Sequence, residues 1–268
     1  MHMRSGSATA DVALQGGRLS SLVVGDLELL VTSGEKPTRW GSFPMVPWCG
    51  RLRDARLTFD GRCYELPPTS PPHANHGFGH LQLWSEVESG ERSVTIRTEL
   101  GGAGTPGEAW PFGGHVEQRF ELFDDRLVVA VEVHAGETPM PAMAGWHPWF
   151  RRELRRGAPA ELSRIGGSVY AVGDDGIPTG DLVPVPAGPW DACFVDIGSD
   201  PVVRWPGALE LTVSSTFDHW VIYTMPDHAL CVEPESGAPN EPNRSPRVIV
   251  PGEPLVGSMT LAWRSDEG

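Results

Sequence analysis

The chain has 268 residues, 40% of them hydrophobic and ten of them tryptophan, with 32 glycines and 26 prolines. Those two helix breakers normally supply roughly 12% of a chain and here supply nearly double, which argues against a helical bundle; the apolar content argues against a disordered polymer. A net charge of −14, with Lys36 as the only lysine, disfavours nucleic acid and anionic membrane as partners.

The length suits one large all-β domain over residues 1–268, with residues 1–10 and 265–268 reading as frayed. In chain order, Gly25-Asp26 and Asp60-Gly61 read as hairpin turns. Apolar residues then alternate at Val94, Ile96 and Leu100, at Val116, Phe120 and Leu122, and at Leu127, Val129, Val131 and Val133. The only segment with helical character is Arg151–Arg156, too short and too charged for a core helix. Alternation returns at Leu209, Leu211 and Val213, while Val221–Thr224 and Met259–Trp263 read as more fully buried strands. The pattern predicts stacked antiparallel sheets.

Cys49, Cys63, Cys193 and Cys231 contain no CxxC pair; four could form two disulfides, which the sequence does not demand, and free buried thiols are the plainer reading. There is no continuous apolar stretch near the N-terminus and no run of the ~18 apolar residues that a span requires. A soluble, cytoplasmic protein is the expectation.

Several side chains could carry chemistry. The histidines of His-Ala-Asn-His-Gly-Phe-Gly-His (His73, His76, His80) have neither the helix nor the Cys or Glu partner that a zinc site uses, so no metal is expected. His73 and His80 read as packed or solvated loop residues, whereas His76 precedes Gly77, which permits close approach of a ligand. His147 lies in Gly-Trp-His-Pro-Trp-Phe, where flat indoles beside an imidazole suit a sugar: apolar faces for C–H groups, polar edges for hydroxyls. Glu233, after the apolar run Ala229–Val232, is placed at a strand end with a partly buried carboxylate, and burial makes a carboxylate a better base. The direction of Glu235 is open, because Pro234 intervenes. Arg51 offers a planar donor fork and Asp191 an acceptor for hydroxyls. No nucleophile elbow, P-loop or dinucleotide fingerprint occurs in a supporting context, and Gly101–Gly104 has no following helix to cradle phosphate.

Taken together, these segments resemble the aldose 1-epimerase (galactose mutarotase) family. Gly16–Leu22 is similar to its opening hairpin, and Gly50-Arg51-Leu52 with Phe59–Gly61 and Tyr64–Leu66 to its Asn-Arg-Ile segment and next strand pair. Asn75-His76-Gly77 resembles its His-Gly motif, His147–Phe150 its His-Pro-Tyr-Phe motif, and Val232-Glu233-Pro234 its late Glu-Pro motif. The chain departs from the pattern at Gly50 for Asn, Trp149 for Tyr and Phe78 for a second glycine, which bears on substrate preference.

The resemblance implies a galactose-mutarotase-like β-supersandwich with no cofactor and no metal. It implies that Glu233 removes the proton of the anomeric hydroxyl and His147 protonates the ring oxygen. His76, Arg51, Asp191 and Trp149 would contact the sugar. Acid–base catalysis of this kind is typically worth ~10²–10⁴-fold per group, provided the carboxylate is ionised while the imidazole keeps its proton. The expected partner is a small-molecule sugar, and the expected state a monomer or homodimer. Two rival readings share the fold: a hexose-6-phosphate epimerase clamping phosphate with Arg151, Arg152, Arg155 and Arg156, and a non-catalytic sugar-binding protein.

Overall fold

The computed structural model describes residues 1–266. Two antiparallel sheets account for most of it. The larger has eleven strands, with Arg18–Val24, Ser42–Met45, Gly145–Arg151, Ala229–Glu235, His219–Tyr223 and Asp191–Val195 running consecutively through its middle. The smaller has eight, centred on His115–Leu122, Arg126–His134, Leu255–Ser265 and Leu209–Ser215. Alternation explains the second sheet directly: Leu127, Val129, Val131 and Val133 are buried and their neighbours half-buried. Leu255–Ser265 and His219–Tyr223 alternate in the same way, so the expectation of fully buried strands there is corrected: each has one face on a packed layer only.

The sheets meet through Trp146 and Gln118. The indole Nε1 donates to Gln118 Oε1 at 3.1 Å, and Gln118 Nε2 donates to the Gly17 carbonyl at 2.8 Å. Each polar atom of this buried bridge is thereby satisfied. The opposite face of the large sheet is covered by the loops and short ribbons of residues 46–82, which is why Gly145–Phe150 is buried on both sides.

Three terminal or local expectations are corrected. Residues 1–10 are ordered: His2–Ser5 pairs with Ala8–Ala13, Met3 is fully buried and the terminal amine donates to the Val12 carbonyl at 2.6 Å. At the other end Ser265 closes a strand and Asp266 accepts from Arg204 at 2.9 and 3.0 Å, while residues 267–268 lie outside the described residues. Arg151 ends a strand and the arginines after it lie in turns, with no helix. The four cysteines are free as read, although Cys63 is exposed. No helix among the described residues is long and apolar enough to cross a membrane.

Candidate active site

Antiparallel pairing places directly opposed residues on one face of a sheet. His147 is opposite Phe43, and Glu233 is opposite Val221, which is opposite Cys193. Between the two central strands the ladder pairs Gly145 with Glu235 and Trp149 with Cys231, and is interrupted over 146–148 and 232–234. Pro148 and Pro234 sit in that interval and have no N–H to donate. They do not end the strands, as their breaker character suggested; they open the ladder where His147 and Glu233 face each other.

His147 Nε2 and Glu233 Oε1 are 3.4 Å apart, with side chains only 8% and 2% exposed. Glu233 is therefore within the body of a central strand rather than at a rim. Burial, then the neighbouring Glu235 and Asp191, push its pKa well above the usual carboxylate value. Burial, then the imidazole of His80, lowers that of His147 to about 3. Both shifts run against the form in which the imidazole holds its proton beside an ionised carboxylate. The two shifts favour the pair with its proton on the carboxyl over the pair with it on the imidazole.

Aromatic rings hold the imidazole in place. Phe43 stacks on one side at 4.8 Å between centroids, and Trp149 lies nearly parallel at 5.3 Å. Of the two indoles flanking His147 in sequence, only Trp149 shares its face, because strand alternation sends Trp146 to the inter-sheet core. The pocket, about 530 Å³, is lined by His147, Glu233, Trp149, His76, Arg51 and Asp191, so the structure brings all six residues singled out from sequence to one cavity.

His76 has a φ of +59°, rare for a residue with a side chain. Gly77 follows at +63°, and a Cβ there would lie 1.9 Å from the Val46 carbonyl oxygen. The glycine thus admits the backbone of residue 46, not a ligand. The Gly50 N–H donates to His76 Nδ1 at 3.3 Å, which leaves Nε2 as the protonated nitrogen of a neutral ring. Burial, then the neighbouring His147, pushes its pKa well down. Arg51, half-buried, donates to the Gly176 carbonyl at 3.2 Å. Asp191 begins its strand, opposite Tyr223.

The departures from the family pattern acquire local reasons. Gly50 is at φ +60°, and a Cβ would come within 2.6 Å of Pro239. Phe78 packs against Trp48 and Trp110, away from the pocket.

Other residues line the pocket too, and Lys36 and Arg39 among them had no sequence signal. The loop of residues 34–41 brings Lys36 and Arg39 to the rim. It is held by buried Arg18, whose guanidinium donates to the Pro37 carbonyl at 2.6 Å and lies 4.0 Å over the Trp40 ring. His80 also lines the pocket, whereas His73 accepts from the Asp54 N–H at 3.1 Å and is structural. Glu235 lines the pocket and is fully buried; period-2 spacing from Glu233 was its signal, obscured by Pro234. The arginine run does not reach the pocket. Arg151 donates to Leu30 O, Arg152 to the carbonyls of residues 224, 226 and 229, and Arg155 and Arg156 flank Asp26 at 3.7 and 3.6 Å.

Comparison with known proteins gives a concordant result. The family model described as Aldose 1-epimerase matches residues 1–262. An uncharacterized protein of Escherichia coli, YphB, is 31% identical over 151 residues, which are 54% of this chain and 49% of that one. The chain thus spans about half the length of the curated relative it matches. Among solved structures, a GalM/aldose epimerase homologue from C. elegans superposes with a TM-score of 0.83 at 17% identity, covering 99% of this chain and 98% of that one. A galactose mutarotase-like protein from Clostridium acetobutylicum superposes at 0.84 with 15% identity over 98% and 94%. At such identities the structural likeness establishes the fold.

Proposed function

The chain belongs to the aldose 1-epimerase family, and from that premise we propose that it interconverts the α and β anomers of a free hexose or related aldose. The observation that carries this reading is the buried His147–Glu233 pair, 3.4 Å apart, facing a pocket with one indole and several polar groups.

Ring opening needs one group to take a proton and another to give one. Glu233, as carboxylate, takes the proton of the C1 hydroxyl. The O–H electrons form the carbonyl, the C1–ring-oxygen bond breaks, and the ring oxygen collects a proton from His147 Nε2. The pair holds one proton before and after the step. Rotation about C1–C2 and the reverse transfers close the other anomer.

The working carboxylate–imidazolium form has the same proton count as the resting carboxyl–imidazole form. It is reached by moving one proton between the two groups, and hydroxyls donating to Glu233 favour it. His76 Nε2–H and Arg51 donate to the sugar oxygens, Asp191 accepts from hydroxyls distant from C1, and the Trp149 face receives C–H groups. A phosphorylated substrate loses the support of the arginine run, which is engaged elsewhere.

The test is NMR magnetisation exchange between anomers of glucose, galactose and their 6-phosphates, with wild type and Glu233→Gln. Exchange well above buffer for a free hexose, abolished in the variant, is expected. Exchange no faster than buffer for every sugar refutes the reading, and undiminished exchange in the variant refutes the base.

A further inference from the structure

The second carboxyl of the site, Glu235, is not used by the acid–base scheme. It is fully buried, lines the pocket, and neither of its oxygens has a hydrogen-bond partner among the described residues. Its cross-strand neighbours do not supply one. On one side stands Gly145, which has no side chain, and a Cβ there would lie 3.2 Å from Glu235 Cα and 2.9 Å from Cys49 Sγ. On the other stands His219, both of whose ring nitrogens are engaged, Nδ1 with Asp218 at 2.7 Å and Nε2 with the Tyr170 hydroxyl at 3.3 Å. The Cys49 thiol points to the Met45 carbonyl.

A buried carboxyl with no partner weakens a fold, because its desolvation is not offset. A side chain kept for structure alone would be paired or apolar at this position. The pocket, which Glu235 lines, gives a donor or acceptor from outside the chain a way to reach it.

We propose that Glu235 is a specificity-determining residue of the epimerase site, forming its missing hydrogen bonds with a hydroxyl of the bound aldose. The inference rests on the epimerase reading. Glu235 and Asp191 lie on opposite sides of Glu233: Asp191 shares a row with Trp149, Cys231 and Tyr223, and Glu235 shares the row of Gly145 and His219. Along the strand, Glu235 is two residues from Glu233, about 7 Å at the usual rise. That is the order of the separation between hydroxyls on opposite sides of a pyranose ring. A hydroxyl both donates and accepts, so it satisfies the carboxyl in either protonation state. Sugars with the hydroxyl in the right place complete the site, and those without it leave Glu235 stranded; this is how a buried polar group discriminates.

The experiment is an enzyme–substrate cycle. Anomer exchange is measured for the preferred hexose and its 2-, 3-, 4- and 6-deoxy analogues, with wild type, Glu235→Gln and Glu235→Met, each checked for folding by thermal melt. Wild type is expected to lose about 10–100-fold in kcat/KM on one deoxy sugar. Glu235→Met should lose a similar factor on the parent hexose and nothing further on that deoxy sugar, and Glu235→Gln, which keeps an acceptor and a donor, should recover part of it. Equal discrimination in wild type and Glu235→Met overturns the proposal while leaving the epimerase intact. Should wild type exchange no aldose faster than buffer, the epimerase reading falls. The same cycle read on dissociation constants by NMR titration then decides Glu235: loss of discrimination in Glu235→Met sustains it, and unchanged discrimination overturns it.

Discussion

The two faces of the Gly145–Arg151 strand are built to opposite standards. On the inner face Trp146 donates to Gln118, which in turn donates to Gly17, and every polar atom of that bridge is paired. On the outer face His147 Nδ1, Trp149 Nε1 and both oxygens of Glu235 are buried without partners among the described residues. Strand alternation alone separates the two sets, since neighbouring residues of one segment face opposite ways. The contrast teaches where to look for a ligand: on the inner face the Ser42 hydroxyl is a lone unpaired atom, whereas several gathered around one cavity mark a surface completed by something outside the chain.

The contrast is open to test. The largest expected effect is on the outer face. Glu233→Gln should lower the rate of anomer exchange about 10²–10⁴-fold. Its folded-state pKa is raised above the unfolded value of 4.5, so the carboxyl binds its proton more tightly when folded. It therefore destabilises the protein progressively as pH rises above that value. The same variant should accordingly melt no lower than wild type at pH 7–8. A large fall in Tm would mean that Glu233 is structural, and the contrast would be lost.

The inner face should behave in the reverse sense. Trp146→Ala is expected to cost about 3–5 kcal/mol of stability, read by denaturant unfolding, because a large buried ring leaves a cavity. A smaller effect is expected of Gln118→Met. It strands the Trp146 N–H and should cost about 1–3 kcal/mol while leaving KM unchanged. A KM that rises with no loss of stability would move Gln118 to the functional side.

The smallest expected effect is a shift in pH limits. His147 takes up a second proton only near its lowered value of about 3, whereas an ordinary histidine would do so near 6.5. The one-proton pair persists from there up to the raised pKa of Glu233, and neither His76 nor His80, both lowered, intrudes from above. Asp191 and Arg51 also line the pocket with the pair. So kcat/KM should stay within about 2-fold from roughly pH 6.5 to 4.5, with the alkaline limb set by Glu233. An acid limb near 6.5 would show that His147 is solvated and charged.

Much of this was legible along the chain. Alternation at Leu127–Val133 and the turns at Gly25 and Asp60-Gly61 follow from side-chain period and backbone preference, which need no long-range information. The motif residues His76, His147 and Glu233 were recognisable because each lies in a short, distinctive neighbourhood. Glu235 was ambiguous, since a proline inside a strand and a proline ending one look alike until the pairing partners are known. The ordered N-terminus escaped notice because His2–Ser5 is too short to show a period and owes its order to Ala8–Ala13. The arginine run left a phosphate clamp open as a rival reading, because charge spacing says nothing of which carbonyls or carboxylates lie across the fold.

The glycine and proline excess, the alternating strands and the short motifs around His147 and Glu233 were thus determined by sequence alone, being local properties of the chain. Only the tertiary structure decided that Pro148 and Pro234 open one ladder between central strands, that Trp146 and Trp149 part company, and that Glu235 faces the pocket beside Glu233. It also set the direction in which each pKa of the pair moves. A pKa depends on what surrounds a group in space, and burial pushes the glutamate up and the histidine down, each toward its neutral form.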